Sequence, residues 1–219
     1  MGSHLVILKL HPHIQTLPNM SISPSLYSME FEPSLLIDQK RKMLLMKRHM
    51  VAFIDFPKPL VAVVNGAAVG VGTTLLPLFD AVFATEKAIF FTPFSALGIT
   101  VEGCSSYTFP LLMGPGKAAE LLLFNKKITA REARKLGLVT DVYPDATFQE
   151  EVWPRIYDMA KLPLKSLVYS KALSRDIHKD ALHQVNIEEC KRVTERLALN
   201  MQRGEEYKEF IRTNWPNCQ

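Results

Sequence analysis

The chain has 219 residues, of which 47% are hydrophobic and 22% charged, a composition that is typical of globular proteins and excludes a wholly disordered one. Lys and Arg number 26 and Asp and Glu 22; because the two signs are interleaved, the net charge of +4 does not indicate a nucleic-acid-binding surface. Three widely spaced cysteines match neither a disulfide framework nor a metal site, and no apolar run is long enough to form a transmembrane segment.

The N-terminal part differs in character from the rest of the chain. Residues 1–33 are rich in proline and serine without a sustained period, which predicts an irregular or disordered arm. Residues 34–56 place apolar side chains at helical spacing, with basic side chains on another face. Pro57 and Pro59 end this predicted helix.

Short apolar strands then alternate with helical segments. The predicted strands are PLVAVVNG, DAVFAT, AIFFTPF and LVTDVYP, and the predicted helices after them include GPGKAAELLLF, TAREARKLG and TFQEEVWPRIYDMAKL. The last two helices carry capping boxes at Thr129 with Glu132 and at Thr147 with Glu150. Further helical segments are LKSLVYSKALSRD, ALHQVNIEECKRVTERLALN and EEYKEFIRT. The pattern predicts an α/β core over residues 34–150 and a helical C-terminal region over residues 151–219.

A glycine-rich turn follows the first of these strands, in the stretch NGAAVGVGTT. Such a turn at a helix start lets backbone N–H groups point outward, which suits a phosphate or a developing oxyanion. The spacing of Gly66, Gly70 and Gly72 matches neither a P-loop nor a dinucleotide fingerprint. Close packing of helix on strand remains the alternative interpretation of this turn.

Glu102 is the only acidic or basic residue between Lys87 and Lys117, in a stretch dominated by phenylalanine and leucine. Taken alone, it has two interpretations. It is either a residue at the start of a helix or a carboxylate buried for its chemistry, where desolvation would raise its pKa towards that of a general base. Cys104 lies close by, but no histidine or cation near it in sequence would generate a thiolate, so we expect it to have a packing role.

Both features belong to one continuous pattern. The stretch FPKPLVAVVNGAAVGVGTTLLPLFDAVFATEKAIFFTPFSALG and its continuation EGCSSYTFPLLMGPGKAAELLLFNKKITAREARKLGLVTDVYP closely resemble the enoyl-CoA hydratase/isomerase (crotonase) superfamily. Within it, the chain looks most like the Δ3,Δ2-enoyl-CoA isomerases. The resemblance implies a crotonase-like ββα-type core and a C-terminal helical region that assembles a homotrimer or hexamer. It also implies an acyl-CoA substrate, with coenzyme A as part of that substrate, and no separate cofactor or metal.

The resemblance also implies roles for single residues. The two glutamates that hydratases need to activate water fall on Thr74 and Phe94, so hydration is not expected. The single glutamate of the isomerases falls on Glu102, which would carry a proton from C2 to C4 of a 3-enoyl-CoA in fatty-acid β-oxidation. The backbone N–H of Val71 would be an oxyanion donor. The substrate-binding residues that it implies are Ala68, Gly70, Phe94 and Leu97.

Residues 1–54 depart from the family pattern. Nothing there resembles the segment that supplies the second oxyanion donor in the family, so we expect an N-terminally incomplete fold with an unpaired sheet edge and an open active site. The alternative function is therefore a catalytically inactive truncated isoform that binds acyl-CoA or assists oligomer assembly. The family implies a peroxisomal or mitochondrial location; the C-terminal NCQ is not an SKL-type signal, and a cytoplasmic location stays open.

Overall fold

The computed structural model describes residues 5–9, 15–16, 35–202, 209 and 213. The strands in these residues are β1 (Leu5–Lys9), β2 (Gln15–Thr16), β3 (Leu60–Val64), β4 (Ala67–Val69), β5 (Ala81–Thr85), β6 (Ile89–Phe91), β7 (Ile128–Thr129) and β8 (Asp141–Tyr143). The helices are α1 (Leu35–Ile54), α2 (Val71–Thr74), α3 (Ser105–Met113), α4 (Pro115–Leu122), α5 (Ala130–Lys135), α6 (Phe148–Ala160) and α7 (Leu164–Gln202), with a 3-10 turn at Leu76–Leu78. The predicted α/β class is confirmed.

The central sheet has the strand order β2-β1-β3-β5-β8. Strands β3, β5 and β8 are parallel, with Val61 opposite Ala81 and Phe83 opposite Asp141. Every residue of β3 and of β5 is buried, as expected for parallel strands that are covered on both faces. The four strands predicted from apolar runs correspond to β3, β5, β6 and β8.

The two faces of β3 pack against different partners because side chains alternate along a strand. Leu60, Ala62 and Val64 belong to the larger apolar core, which also contains residues of β6, α3 and α4. Val61 and Val63 face the other way and pack in a smaller cluster with residues of α6. The sheet is therefore held between α6 and the part of the molecule that carries the candidate site.

A second, small sheet has the order β4-β6-β7. Strands β4 and β6 are parallel, with Ala68 opposite Phe90 and Val69 opposite Phe91. The sequence indicates neither β4 nor β7, because both are short and contain small or polar residues without a clear alternation. This sheet matters for function because β4 leads directly into the glycine turn and β6 leads into the loop that carries Glu102.

The outer edge of β3 is paired, in contrast to the unpaired edge that we expect from the sequence. Strand β1 runs antiparallel to β3, with Leu5 opposite Val64 and Lys9 opposite Leu60, and β2 pairs with β1 in turn. Two segments of the predicted irregular arm over residues 1–33 are therefore strands, and the rest of that range lies outside the described residues. An apolar, β-branched run such as LVILK satisfies the exposed N–H and C=O groups of a neighbouring strand.

One of the two predicted capping boxes is present. Thr129 accepts a hydrogen bond from the Glu132 N–H, and the Glu132 carboxylate accepts one from the Thr129 N–H at 2.8 Å. The prediction is wrong for Thr147, which makes no side-chain cap bond and instead donates its hydroxyl to the Glu151 carboxylate. The backbone of Thr147 (φ −110, ψ 6) is not extended, so its hydroxyl is not aimed at the first turn of α6.

The C-terminal half of the described chain is dominated by α7, a continuous helix of 39 residues. We predict separate helices over residues 164–176 and 181–200, but the four residues between them include neither glycine nor proline, and the helix continues through them. The predicted helix over residues 205–213 lies outside the described residues except for Glu209 and Thr213, both of which are helical. Within the described part of the chain, no helix is both long and apolar enough to cross a membrane.

Candidate active site

The loop between β6 and α3 carries Glu102 and is built from tight turns. The Leu97 N–H donates to the Pro93 carbonyl at 2.9 Å, and the Ile99 N–H donates to the Phe94 carbonyl at 3.0 Å. Gly98 has φ +66, a left-handed conformation that glycine adopts without steric cost. The chain therefore turns twice before it reaches Glu102, with Phe94 and Ile99 packed in the core.

Glu102 is buried, with only 2% of its surface exposed. Helix α3 begins three residues later, at Ser105, and its N-cap is Cys104, so the helix-start interpretation of Glu102 is wrong. The Ser105 hydroxyl donates to the Glu102 carbonyl at 2.7 Å, which fixes the backbone of Glu102 against the first turn of α3. The carboxylate thus lies inside the protein, on a loop whose neighbouring residues are mostly apolar.

The glycine turn lies at the end of β4. Gly70 has φ 55 and ψ −122, and its N–H donates to the Phe91 carbonyl at 2.9 Å, which connects the turn to the end of β6. The N–H groups of Thr73 and Thr74 both donate to the Gly70 carbonyl. The Val71 N–H donates no hydrogen bond to any described residue, so it remains available to an acceptor.

Space is present beside this turn. A Cβ added to Gly72 would meet no atom within 4 Å, although Gly72 itself is buried. The turn therefore borders an internal opening rather than close-packed protein at this point. The alternative interpretation, that the glycines allow close packing of helix on strand, does not apply to Gly72, because there is room for a side chain at that position.

Thr74 and Gly103 bring the turn and the loop together. A Cβ added at Gly103 would lie 2.9 Å from the Cβ of Thr74 and closer still to its Oγ1, a separation that real Cβ atoms do not adopt. Thr74 also donates its hydroxyl to the Val71 carbonyl at 3.4 Å. The residue next to Glu102 therefore touches the same short helix that starts at Val71.

The other residues that the sequence implicates lie on these two segments. Ala68 and Gly70 belong to β4 and the turn, and the Ala68 carbonyl accepts a hydrogen bond from the Thr73 hydroxyl at 2.7 Å. Phe94 is almost completely buried and Leu97 is half-buried, both on the loop that precedes Glu102. The pairing of β4 with β6 keeps these two groups of residues close together.

Sequence reasoning missed one functional candidate, Glu189 on α7. Glu189 is 5% exposed, and its carboxylate accepts hydrogen bonds from the Cys104 N–H at 2.7 Å, the Ser106 N–H at 2.9 Å and the Ser106 hydroxyl at 2.6 Å. Burial raises the pKa of Glu189, and these hydrogen bonds oppose that rise. Its helical spacing from Leu182 and Asn186 becomes informative only once the packing of α7 shows that these two residues are buried.

The two cysteines near Glu102 are not poised for reaction. Burial, together with the charge of Glu189, raises the pKa of Cys104 to about 12. Burial and the charges of Glu102 and Glu189 raise the pKa of Cys190 to about 11. Both are buried thiols, and the expected packing role of Cys104 agrees with this. Within residues 35–202, no group of three or more histidine, cysteine or carboxylate side chains is arranged to hold a metal ion.

Comparison with known proteins identifies the family. The model of the enoyl-CoA hydratase/isomerase family matches residues 35–216. Over 151 residues the chain is 57% identical to human (Homo sapiens) enoyl-CoA delta isomerase 2, covering 69% of this chain and 38% of that protein. Over 168 residues it is 52% identical to the peroxisomal enoyl-CoA delta isomerase 3 of Mus musculus, covering 77% of this chain and 51% of that protein.

A solved structure supports the same assignment. The enoyl-CoA hydratase/isomerase from Pseudoalteromonas atlantica T6c superposes with a TM-score of 0.70 and 31% identity, covering 86% of this chain and 70% of that one. The chain spans about four-tenths of the length of the human relative and about one half of that of the mouse relative. With a family model that matches most of its length and a crotonase-like α/β fold, the chain belongs to the enoyl-CoA hydratase/isomerase family.

Proposed function

We propose that the chain is a Δ3,Δ2-enoyl-CoA isomerase of fatty-acid β-oxidation, which moves the double bond of a 3-enoyl-CoA to give the 2-trans-enoyl-CoA. The observation that carries the proposal is the buried carboxylate of Glu102, held through Gly103 against the turn that presents the Val71 N–H. The names of the human and mouse relatives, both enoyl-CoA delta isomerases, support the reaction class.

In the proposed mechanism Glu102 carries one proton. Its carboxylate removes a proton from C2, and the electrons of the C2–H bond delocalise onto the thioester oxygen to form a dienolate. The protonated Glu102 then donates that proton to C4, while the electrons shift to form the C2–C3 double bond and restore the thioester carbonyl. The atoms and electrons balance without an oxidant or a water molecule, so one carboxylate that accepts and returns a proton is sufficient.

The negative charge on the thioester oxygen needs a donor, and the Val71 N–H would provide one. It donates to no described residue, and the turn borders open space at Gly72. A backbone N–H aimed at a developing oxyanion contributes about a hundredfold or more in rate. Gly70 has no side chain, which lets the substrate approach the backbone of the turn closely.

The surroundings of Glu102 favour proton transfer over hydration. Phe94 and Leu97 would form apolar walls, with Ala68 on the side of the turn, and these walls would keep water away from the dienolate. Thr74 and Phe94 occupy the positions at which hydratases carry glutamates. Glu189 does not replace those glutamates, because its oxygens already accept three hydrogen bonds from the start of α3.

The test is conversion of a 3-enoyl-CoA by the purified chain, followed as the ultraviolet absorbance of the conjugated enoyl thioester. Glu102→Gln keeps the shape of the side chain but removes its basicity, and it should lower kcat by about 10²–10⁴-fold. The matched control is Glu188→Gln, an exposed glutamate of α7 paired with Arg192, which should leave kcat unchanged. Conversion that persists in Glu102→Gln would overturn the choice of base.

A second candidate is a subunit without turnover that binds acyl-CoA or assists oligomer assembly. The observation in its favour is that nothing in residues 1–54 resembles the family segment that supplies the second oxyanion donor. A well-folded wild-type chain that binds acyl-CoA in calorimetry but converts no 3-enoyl-CoA would support this candidate and exclude the first.

Assembly and location are further parts of the proposal. We expect a homotrimer or hexamer built through the helical region, which sedimentation of the purified chain would detect. The name of the mouse relative, which is peroxisomal, supports a peroxisomal location, with the mitochondrion and the cytoplasm as alternatives. Coenzyme A enters only as part of the substrate, and we propose no separate cofactor.

A further inference from the structure

Glu189 reaches the loop of Glu102 from a distant part of the chain. Its two carboxylate oxygens accept hydrogen bonds from different residues. Oε2 accepts one from the Cys104 N–H, and Oε1 accepts one from the N–H and one from the hydroxyl of Ser106. These partners are 83 and 85 residues away in sequence. Hydrogen bonds to a carboxylate are roughly twice as strong as those to a neutral acceptor. The bond from Cys104 is buried, and the two bonds from Ser106 are partly buried.

The backbone that Glu189 holds has an unusual conformation. Gly103 has φ +75 and Cys104 has φ +61, so two consecutive left-handed residues follow Glu102 directly. The left-handed conformation is sterically unfavourable for a non-glycine residue such as cysteine. Cys104 makes no side-chain cap bond to α3, so the N-cap provides no acceptor of its own. Glu189 provides that acceptor and thereby stabilises the strained turn.

The same helix contacts the loop on the other side of Glu102. Asn200, 1% exposed, donates through Nδ2 to the Gly98 carbonyl at 2.9 Å, and the Arg196 Nε donates to the same carbonyl at 3.3 Å. Helix α7 therefore fixes the chain four residues before Glu102 and two and four residues after it. An ordinary helix cap would need only the contact at the start of α3.

We propose that Glu189 is a positioning residue for the isomerase reaction, which holds the backbone at Cys104 and Ser106 so that the Glu102 carboxylate faces C2 and C4 of the substrate. This inference rests on the proposed function. Glu189 does not touch the substrate in the proposed mechanism, and it acts on Glu102 through the backbone of residues 103–106. A displacement of about 1 Å at a catalytic group costs on the order of a hundredfold in rate, which makes such support consequential.

The electrostatic surroundings of Glu189 are compatible with this role. Glu189 faces Cys104, the N-cap of α3, and Ser106 in its first turn, whereas Glu102 of the loop and Lys47 of α1 act on the neighbouring Cys190. At Cys190 the charge of Lys47 favours the thiolate, whereas burial and the charge of Glu102 favour the neutral thiol. The three N–H and O–H donors remain the direct partners of the carboxylate.

The experiment compares Glu189→Gln and Glu189→Ala with the Glu188→Gln control. Gln keeps the length and one carbonyl acceptor for Ser106 but presents N–H groups to Cys104, so kcat should fall by about 10-fold, and Ala should lower it by about 100-fold. KM should stay within about twofold because no substrate contact is lost. Hydrogen exchange over residues 102–107 should accelerate in both variants when it is measured well below their melting temperatures, where both remain folded.

Each outcome discriminates between the two proposals. An active wild type whose kcat and hydrogen exchange are unaffected by Glu189→Gln would overturn the positioning role and leave the proposed function intact. A rise in KM at constant kcat would overturn it as well, because that pattern indicates substrate binding. A folded wild type that converts no substrate would overturn the proposed function, and the positioning role together with it.

Discussion

The side chain of Thr74 lies directly against the backbone of Gly103, closer than any residue with a Cβ at position 103 would permit. This contact joins two segments that lie about thirty residues apart, one carrying the Val71 N–H and the other Glu102. Glycine is needed at position 103 for two reasons: a Cβ would collide with Thr74, and the backbone has φ +75, a conformation that glycine adopts without steric cost. The distance between the proposed base and the proposed oxyanion donor therefore depends on a glycine that takes no part in the chemistry.

Gly103→Ala should destabilise the protein by roughly 2–4 kcal/mol, because the new methyl group clashes with Thr74 and a left-handed alanine is strained. Urea unfolding followed by circular dichroism measures the change. The control is Gly116→Ala within α4, where an added Cβ meets nothing within 4 Å. Gly116→Ala should leave the unfolding free energy unchanged or raise it. An equal loss of unfolding free energy in Gly103→Ala and Gly116→Ala would contradict the role of the contact between Thr74 and Gly103.

Val71→Pro should lower kcat about a hundredfold while KM changes little, because proline removes the N–H that we assign to the oxyanion. Proline is tolerated at the first position of a helix, which Val71 occupies in α2, so the variant is expected to fold. Val71→Ala retains the N–H and should keep nearly full activity. A folded Val71→Pro with the kcat of the wild type would exclude Val71 as the donor.

The two threonines predicted to form capping boxes should respond differently to alanine. Thr129→Ala removes a complete box and should cost about 1 kcal/mol of unfolding free energy. Thr147→Ala removes a hydroxyl that bonds only the Glu151 side chain and should cost less than about 0.5 kcal/mol. Chemical denaturation at neutral pH compares the two variants. A larger loss of unfolding free energy in Thr147→Ala than in Thr129→Ala would contradict the assignment of the capping box to Thr129 alone.

Asp141 on β8 should make stability depend on pH in the acid range. A hydrogen bond from Arg155 at 2.6 Å and the charge of Arg134 hold the pKa of Asp141 below its ordinary value of 3.8. Because the folded pKa is the lower one, the stabilisation is fully present above about pH 4–5 and is lost as the pH falls through the folded value.

Asp141→Asn should therefore lower the unfolding free energy by about 0.5–1 kcal/mol at pH 7, with a progressively smaller difference from wild type below pH 3.8. Urea unfolding at pH 7 and at about pH 2.5 measures both. Asp158→Asn removes a more exposed ion pair with Lys161 and should change little at pH 7. If the unfolding free energy of Asp141→Asn fell further below that of the wild type on acidification, this explanation would be contradicted.

Much of the fold is predictable because its main elements carry local signals. Strands β3 and β5 are continuous apolar runs bounded by turn residues, and the glycine at 137 marks the end of α5 with φ +79. Strands β4 and β7 have no such signal. Each is two or three residues long and exists because β6 lies beside it, so only the tertiary structure determines them.

The candidate site is predictable to a different extent for each carboxylate. Glu102 is conspicuous because no other acidic or basic residue lies near it in sequence, and its burial is consistent with its apolar neighbours. Glu189 lies in a helix that contains many charged residues, next to the exposed Glu188, and nothing local distinguishes the two. Only the position of the helix against the loop does so, and that depends on contacts more than eighty residues apart.

Helix α7 extends over 39 residues, about 58 Å at 1.5 Å per residue, and its anchors to the Glu102 loop lie at Glu189 and Asn200 in its second half. The hydrogen bonds that these anchors form span 83 to 102 residues. During synthesis from the N-terminus, the loop therefore leaves the ribosome long before the residues that fix it. Glu102 is synthesised before α7, so the contacts that fix its loop can form only after residues 189–200 have also left the ribosome.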